Sequence, residues 1–412
     1  MMKKNNPIKF ASPDLSKKEL NEIRKVLDSG WLTNGPVVRD FERKIASMSN
    51  CRRAVAFDSC TAAMEMTLRA LGIGPGDEVI TTPYTYSATA EVIRNTGAKI
   101  VFVDLAPNSF EMDYHLVEKA ITPRTKAVIP VDIGGKLCNY AALQLAIELK
   151  SNIFKPANPV QEAMGRVAIV ADAAHSFGAE QDSHLAGELA DFTCFSFHVL
   201  KCITTGGEGG AVVWKEIHGI DNAKFEETLR LLGDHGQTSR DKSTGWEYDI
   251  ALFGYNHIMT NIDAAMGIAQ LDRFKEICDR RMEVTLRYDE LFAKTDVAEP
   301  MIQHFGSNYT SSMHLYPIRL ATPAFLTEQD KGHEFWRNMV YRQLRAAGIP
   351  CNVHYKPLPM MTAYKNAGFD IADYPNAYKQ FRSLLTIPYH TYLTAEQQEF
   401  IVDTIGKVAM GV

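Results

Sequence analysis

Phe195-Ser196-Phe197-His198-Val199-Leu200-Lys201, followed by Thr204-Thr205-Gly206-Gly207-Glu208-Gly209-Gly210, sets one lysine between an apolar β-rich run and a glycine cluster. Glycines let the backbone approach a bound group closely. A lysine drawn out of water loses its proton more readily, because burial disfavours the ammonium. The neutral amine then condenses with carbonyls to form a Schiff base. The competing reading is an ordinary surface lysine after a strand.

Working outward, apolar runs at 54–57, 79–81, 100–103, 127–131, 167–171, 192–197 and 211–214 read as strands, and helical patterns such as 62–71 and 88–95 separate several of them. Short apolar strands alternating with helices predict an α/β fold with a mostly parallel central sheet covered on both faces. Ligands of such sheets sit at the carboxyl ends of the strands. Ser16-Lys17-Lys18-Glu19 is a capping box that opens a helix stopped by Gly30. After Lys275 the texture changes. A charged helix over 272–294 leads to strands at 314–320 and 351–354, a helix at 327–347, and a last helix opened by Thr394-Ala395-Glu396-Gln397. The division expected is a large domain over 1–274 and a smaller α+β domain over 275–412. Residues 150–165, with Pro156 and Pro159, read as an inserted surface loop.

The chain has 412 residues, 46% of them hydrophobic, and a net charge of -5. That composition suits a globular protein, and with no basic run nothing points to nucleic acid or a membrane as partner. No stretch reads as a signal peptide or a bilayer span, so a cytoplasmic location is expected. The seven cysteines are scattered and never spaced C-x-x-C. A disulfide framework and a metal site are both disfavoured.

Further segments fall where strand-to-helix loops belong. Ser59-Cys60-Thr61 follows a strand and opens a helix, a place where free N–H groups hold an anion; plain capping is the alternative. Tyr84 and Tyr86 lie beyond the next strand, where a ring could stack, or simply pack in the core. Asp172 ends a wholly apolar strand, followed by Ala173-Ala174-His175. It needs a cationic or hydrogen-bonding partner there, or caps the next helix. One cofactor accounts for all of these: an aldehyde for Lys201, a phosphate for Ser59 to Thr61, a ring for Tyr86 and a pyridinium nitrogen for Asp172. That cofactor is pyridoxal 5'-phosphate.

These segments resemble the sugar aminotransferases of the DegT/DnrJ/EryC1/StrS group, within the fold-type I pyridoxal phosphate enzymes. The likeness runs through Gly30 to Pro36, Ser59 to Ala63, Gly74 to Ile80, Pro83 to Tyr86, Gly97 to Asp104, Asp172 to His175, Ser196 to His198, Gly254 to Asn256, and His354-Tyr355. The resemblance implies that Lys201 holds the cofactor and moves the proton, Asp172 faces the ring nitrogen, and Tyr86 stacks with His175 close by. It places Ser59, Cys60, Thr61 and Ser196 around the phosphate. Asn256 would reach that phosphate from a second subunit, in a homodimer with shared active sites. Thr33, Tyr316 and His354 would lie near the substrate, a keto-sugar (3-keto or 4-keto) carried on a nucleotide, with glutamate as amine donor.

The chain departs from the family pattern at three points. Five residues, not four, separate Lys201 from Gly207-Glu208-Gly209-Gly210; the segment usually reading His-Tyr-x-Pro-x-His ends here in Pro359; and the 150–165 insert is unusual. The last two bear on specificity for sugar and nucleotide. The rival readings are a dehydratase on the same scaffold, a branch that replaces the lysine with histidine, a non-catalytic sensor of the cofactor or of an amino sugar, and an aminotransferase for a non-sugar cyclic ketone.

Overall fold

The computed structural model describes residues 7–240, 243–321 and 332–410. Seven strands make the central sheet: β1 (Ala54–Phe57), β2 (Glu78–Thr81), β3 (Lys99–Phe102), β4 (Thr125–Ile129), β5 (Ala168–Asp172), β6 (Phe192–Ser196) and β7 (Gly210–Trp214). Their order is β1-β7-β6-β5-β4-β2-β3, and β7 alone runs against its neighbours. The period-2 alternation of side chains sorts this sheet into two cores. Ala56, Ile80, Val128, Ile169, Phe195 and Val213 enter one, while Val55, Val79, Ala127, Val170, Phe192 and Trp214 enter the other. Both faces are covered, as parallel strands demand.

The helices flanking the sheet start and stop where the sequence says. α1 (Lys17–Ser29) carries the capping box of Ser16 and Glu19 and ends at Gly30, in the left-handed region at φ 69°. α2 (Pro36–Met48) and α3 (Cys60–Ala70) follow, then α4 (Ala88–Thr96). The 150–165 segment departs from the expected loop. It contains a 3-10 turn (Ser151–Ile153) and α5 (Pro159–Met164), capped by Asn158 and stopped by Gly165. Pro159 occupies the first helical position, where its missing N–H costs nothing, so a residue read as a loop marker is a helix opener. Asn158 and Gln161 both donate to Leu71 O at 2.9 Å, and Lys126 donates to Lys155 O. These contacts place the insert at the amino-terminal ends of β4 and β5, opposite the carboxyl ends where the site lies.

α6 (Asn261–Leu271) packs on α1 and α2, and α7 (Phe274–Phe292) leads into a second, smaller sheet. Its strands are β8 (Ala298–Pro300), β9 (Pro317–Leu320) and β10 (Leu384–Thr386), all antiparallel with β9 in the centre. α8 (Gly332–Ala346) and α9 (Ala395–Met410) cover it; the part of the expected 327–347 helix before Gly332 lies outside the described residues. The expected strand at 351–354 reduces to one bridge, Asn352 with Thr386. Beyond it the chain turns so that His354 bonds Thr386 Oγ1 at 3.0 Å, which ends the ladder.

An N-terminal strap joins the two cores. Ile8 packs on the smaller one, and Tyr389 N–H donates to Phe10 O at 3.0 Å. Asp14 then accepts from Arg273 at 2.7 Å and Arg280 at 2.9 Å, while Arg273 also donates to Glu19 at 2.9 Å. Burial opposes ionisation of Asp14, but these hydrogen bonds and cations outweigh it and hold its pKa below the usual value. Removing one member leaves buried charge uncompensated, which typically costs about 3–5 kcal/mol. Arg273→Ala is therefore expected to lower the denaturation midpoint sharply in urea titrations, far more than Lys275→Ala on the exposed face of the same helix.

His304 is buried beside Tyr316 and Tyr389, and burial pushes its pKa down to about 3. An unfolded histidine titrates near about 6.5. The unfolded chain therefore binds a proton that the folded chain refuses, and stability falls as pH drops from about 6.5 towards 3. The slope is at most about 1.4 kcal/mol per pH unit for each such histidine. Asp14 adds its own loss below about pH 4, as its depressed carboxylate is protonated. Thermal melts between pH 7 and 4 should show a steadily falling midpoint, and His304→Asn should flatten the upper part of that curve.

Candidate active site

A cavity of about 630 Å³ opens at the carboxyl ends of the parallel strands. Ser59, Cys60, Thr61, Tyr86, Asp172, His175, Ser196, Lys201 and His354 all line it. Three of the expected site residues do not. Thr33 and Asn256 are exposed elsewhere on the chain. Tyr316 is 1% exposed inside the smaller core and donates to Asp289 at 2.6 Å, so its hydroxyl is committed away from the cavity.

The floor is built by register. Gly210 stands opposite Phe57 on one side and Ser196 on the other. A Cβ there would fall 2.3 Å from Cys60 N and 2.4 Å from the Ser59 carbonyl carbon, so only glycine lets the start of α3 settle onto the sheet. Ser59 Oγ caps Ala62 N at 3.1 Å. The N–H groups of Cys60 and Thr61 are the first two of the helix and have no intrahelical acceptor. With the positive helix end behind them they form a cradle for an anion.

Asp172 is buried at the end of β5. Thr89 Oγ1 donates to one of its oxygens at 2.6 Å and Ala174 N–H to the other at 3.2 Å. Burial raises its pKa, against these bonds and the charge of Lys201. A carboxylate so placed is completed by a cationic partner from the cavity side. Lys201 stands across from it on the loop joining β6 to β7, held by Thr205 N–H to Phe197 O at 3.0 Å and Val199 N–H to Gly207 O at 3.0 Å. Burial lowers the pKa of Lys201, while Asp172 and neighbouring groups pull the other way. Its remaining exposure is to the cavity.

Tyr86 is 65% exposed and leaves a ring face free. His175 Nδ1 accepts from Gly134 N–H at 3.1 Å, so Nε2 carries the proton and faces Tyr355 Oη at 3.3 Å. Gly134 (φ 66°) and Gly135 (φ 94°) also receive the backbone N–H groups of His314 and Ser312, locking the smaller core to the site. A Cβ on Gly135 would lie 2.0 Å from Ser312 Oγ. His354 spends both ring nitrogens, accepting from Asn352 at 3.2 Å and donating to Thr386 at 3.0 Å, and stacks loosely on Phe10 at 5.8 Å. Burial and Lys201 push its pKa down to about 4, so it is neutral at physiological pH. Pro359, where the family pattern has histidine, is buried in a 3-10 turn outside the lining.

Sequence reasoning missed Thr89, His314 and Phe10. The Thr85 to Thr89 spacing, one helical turn, was a usable signal for the first, and the two hydroxyls are 2.8 Å apart. Nothing in the sequence marked Phe10, whose place depends on the strap folding back.

The anion cradle, the buried carboxylate, the free ring face and the desolvated amine fit pyridoxal phosphate group by group. Among the described residues no cluster of three potential ligands suits a metal ion, and no helix is long and apolar enough to cross a membrane. The structure superposes on a putative sugar aminotransferase, Spr1654 from Streptococcus pneumoniae in its PMP form, with TM-score 0.93 and 40% identity, covering 98% of this chain and 99% of that one. The spore coat polysaccharide biosynthesis protein SpsC of Bacillus subtilis is 32% identical over 100% of this chain and 99% of its own. The UDP-2-acetamido-2-deoxy-3-oxo-D-glucuronate aminotransferase of Pseudomonas aeruginosa is 30% identical over 90% of each. The family model for DegT/DnrJ/EryC1/StrS aminotransferases matches residues 13–406. The chain therefore belongs to the DegT/DnrJ/EryC1/StrS aminotransferase family, pyridoxal phosphate-dependent transaminases of fold type I.

Proposed function

We propose that this aminotransferase carries an amino group, with glutamate as donor, to a keto-sugar attached to a nucleotide. The observation that carries the reading is the pairing of Lys201 with Asp172 in one cavity that also holds the Ser59–Thr61 cradle. The Pseudomonas aeruginosa relative, named for a UDP-linked 3-oxo sugar, supports the substrate class.

Pyridoxal phosphate, when bound, supplies an aldehyde that takes amines and a ring that stabilises negative charge on the adjoining carbon. Lys201 would anchor it through Nζ and, once displaced, serve as the base that moves a proton to and from the substrate carbon. The low proton affinity that burial gives this amine suits that task at neutral pH. Asp172, kept in place by Thr89 and Ala174, would hold the ring nitrogen protonated. Cys60 and Thr61 N–H, with Ser59 and Ser196, would bind the phosphate, and Tyr86 would cover one ring face. His175, fixed in one tautomer by Gly134, would orient Tyr355 towards the substrate. The ring of His354 would border the substrate.

The second subunit belongs to the same reading. Phe253 is 97% exposed and Trp246 72%, on the segment that carries Asn256, and leaving such side chains in water is unfavourable. The neighbouring His257 bonds Asp58 at 3.0 Å, beside the phosphate cradle. We take this surface to be the face of a homodimer through which Asn256 reaches the other subunit's phosphate.

Borohydride reduction of the purified enzyme should add the cofactor's mass to the peptide containing Lys201. Lys201→Ala should lose that label and at least about 10³-fold in turnover; an unlabelled but fully active variant would refute the assignment. Phe253→Asp should shift the protein to monomer in analytical ultracentrifugation and weaken cofactor retention. If it remains a dimer with full retention, this face is not the interface.

A further inference from the structure

The charged residues lining the cavity are Lys201, Lys356, Asp172 and Glu208. Lys201 and Asp172 serve the cofactor. Among the histidines, burial and the charge of Lys201 push the pKa of His175, His314 and His354 down, and His198 Nε2 faces Glu208 at 3.8 Å. Lys356 differs from all of these. It is exposed and no hydrogen bond or ion pair engages it among the described residues.

Its backbone is nevertheless fixed. Tyr84 Oη donates to His354 O at 3.0 Å, and Leu358 N–H donates to Pro83 O at 2.8 Å, clamping 354–358 onto the loop after β2. The exposed side chain of Lys356 thus extends from a fixed base in the lining that Phe10 and His354 share. With the cofactor on the floor of this cavity of about 630 Å³, the sugar lies above it and the nucleoside extends towards the open side. The link between sugar and nucleoside then crosses the rim, where Lys356 stands.

We propose that Lys356 is the anion-binding residue of this mouth and that it takes the diphosphate joining nucleoside to sugar. The inference rests on the nucleotide-sugar reading above. Lysine suits the role as a compact charge with mobile donors that reads phosphate without reading the base. Phe10 and His354 then form an aromatic wall between the rim and the reacting carbon.

The test uses holoenzyme and the free diphosphates UDP, GDP and dTDP as probes in isothermal titration calorimetry. For each probe that binds the wild type, Lys356→Ala should weaken binding about tenfold, the scale of one exposed charge-assisted contact. The salt dependence of binding should become shallower, and Lys356→Arg should restore most of the affinity. Glutamate's apparent affinity, followed by cofactor absorbance, should move less than the diphosphate affinities do. Unchanged diphosphate binding in Lys356→Ala overturns the proposal, as does a loss confined to glutamate, which would assign the lysine to the donor carboxylate. A wild-type holoenzyme that binds none of the three diphosphates overturns the nucleotide reading itself. One that binds them and ignores the substitution leaves that reading standing and removes only Lys356 from it.

Discussion

An amine and a carboxylate kept away from bulk water in the same cavity constrain everything else in this molecule. Lys201 is held on a loop between adjacent strands, and Asp172 ends the strand beside it. Burial shifts each towards its neutral form while the other's charge resists the shift. That balance keeps each group supported by the other, and it holds only if water is kept out and the geometry is rigid. The glycines of the 206–210 run, the threonine under Asp172 and the turn at Gly134 all serve that rigidity.

The two cores meet where rigidity matters most. Gly134 and Gly135 take backbone hydrogen bonds from 312–315, and the strap runs from the smaller core at Phe10 to the Asp14–Arg273 cluster against α6 and α7. Both seams lie next to the cavity, so the smaller core works as a wall of the site. The carboxyl-end edge of the sheet carries the chemistry, and the 150–165 insert thickens the opposite edge. None of its residues lines the cavity.

Much of this was legible in the residues. The seven core strands followed from apolar runs, and the caps at Ser16, Gly30 and Thr394 from local hydrogen-bonding chemistry. The gathering of Ser59, Asp172 and Lys201 after β1, β5 and β6 was readable because parallel strands put those ends on one edge of the sheet. Interactions distant in sequence were not. Tyr316 is placed near the substrate by the resemblance, yet it is buried in the smaller core with its hydroxyl bonded to Asp289. His354, placed near the substrate by the resemblance, lines the cavity, but Asn352 and Thr386 consume both its ring nitrogens. Pro159 was misread because proline both breaks helices and opens them.

The strap has a practical consequence. Phe10 and Ala11 both line the cavity, and Tyr389 N–H holds Phe10 O in place. An engineered library seeking new acceptors has in positions 10 and 11 a short, contiguous cassette on the wall of the cavity that also holds Lys201.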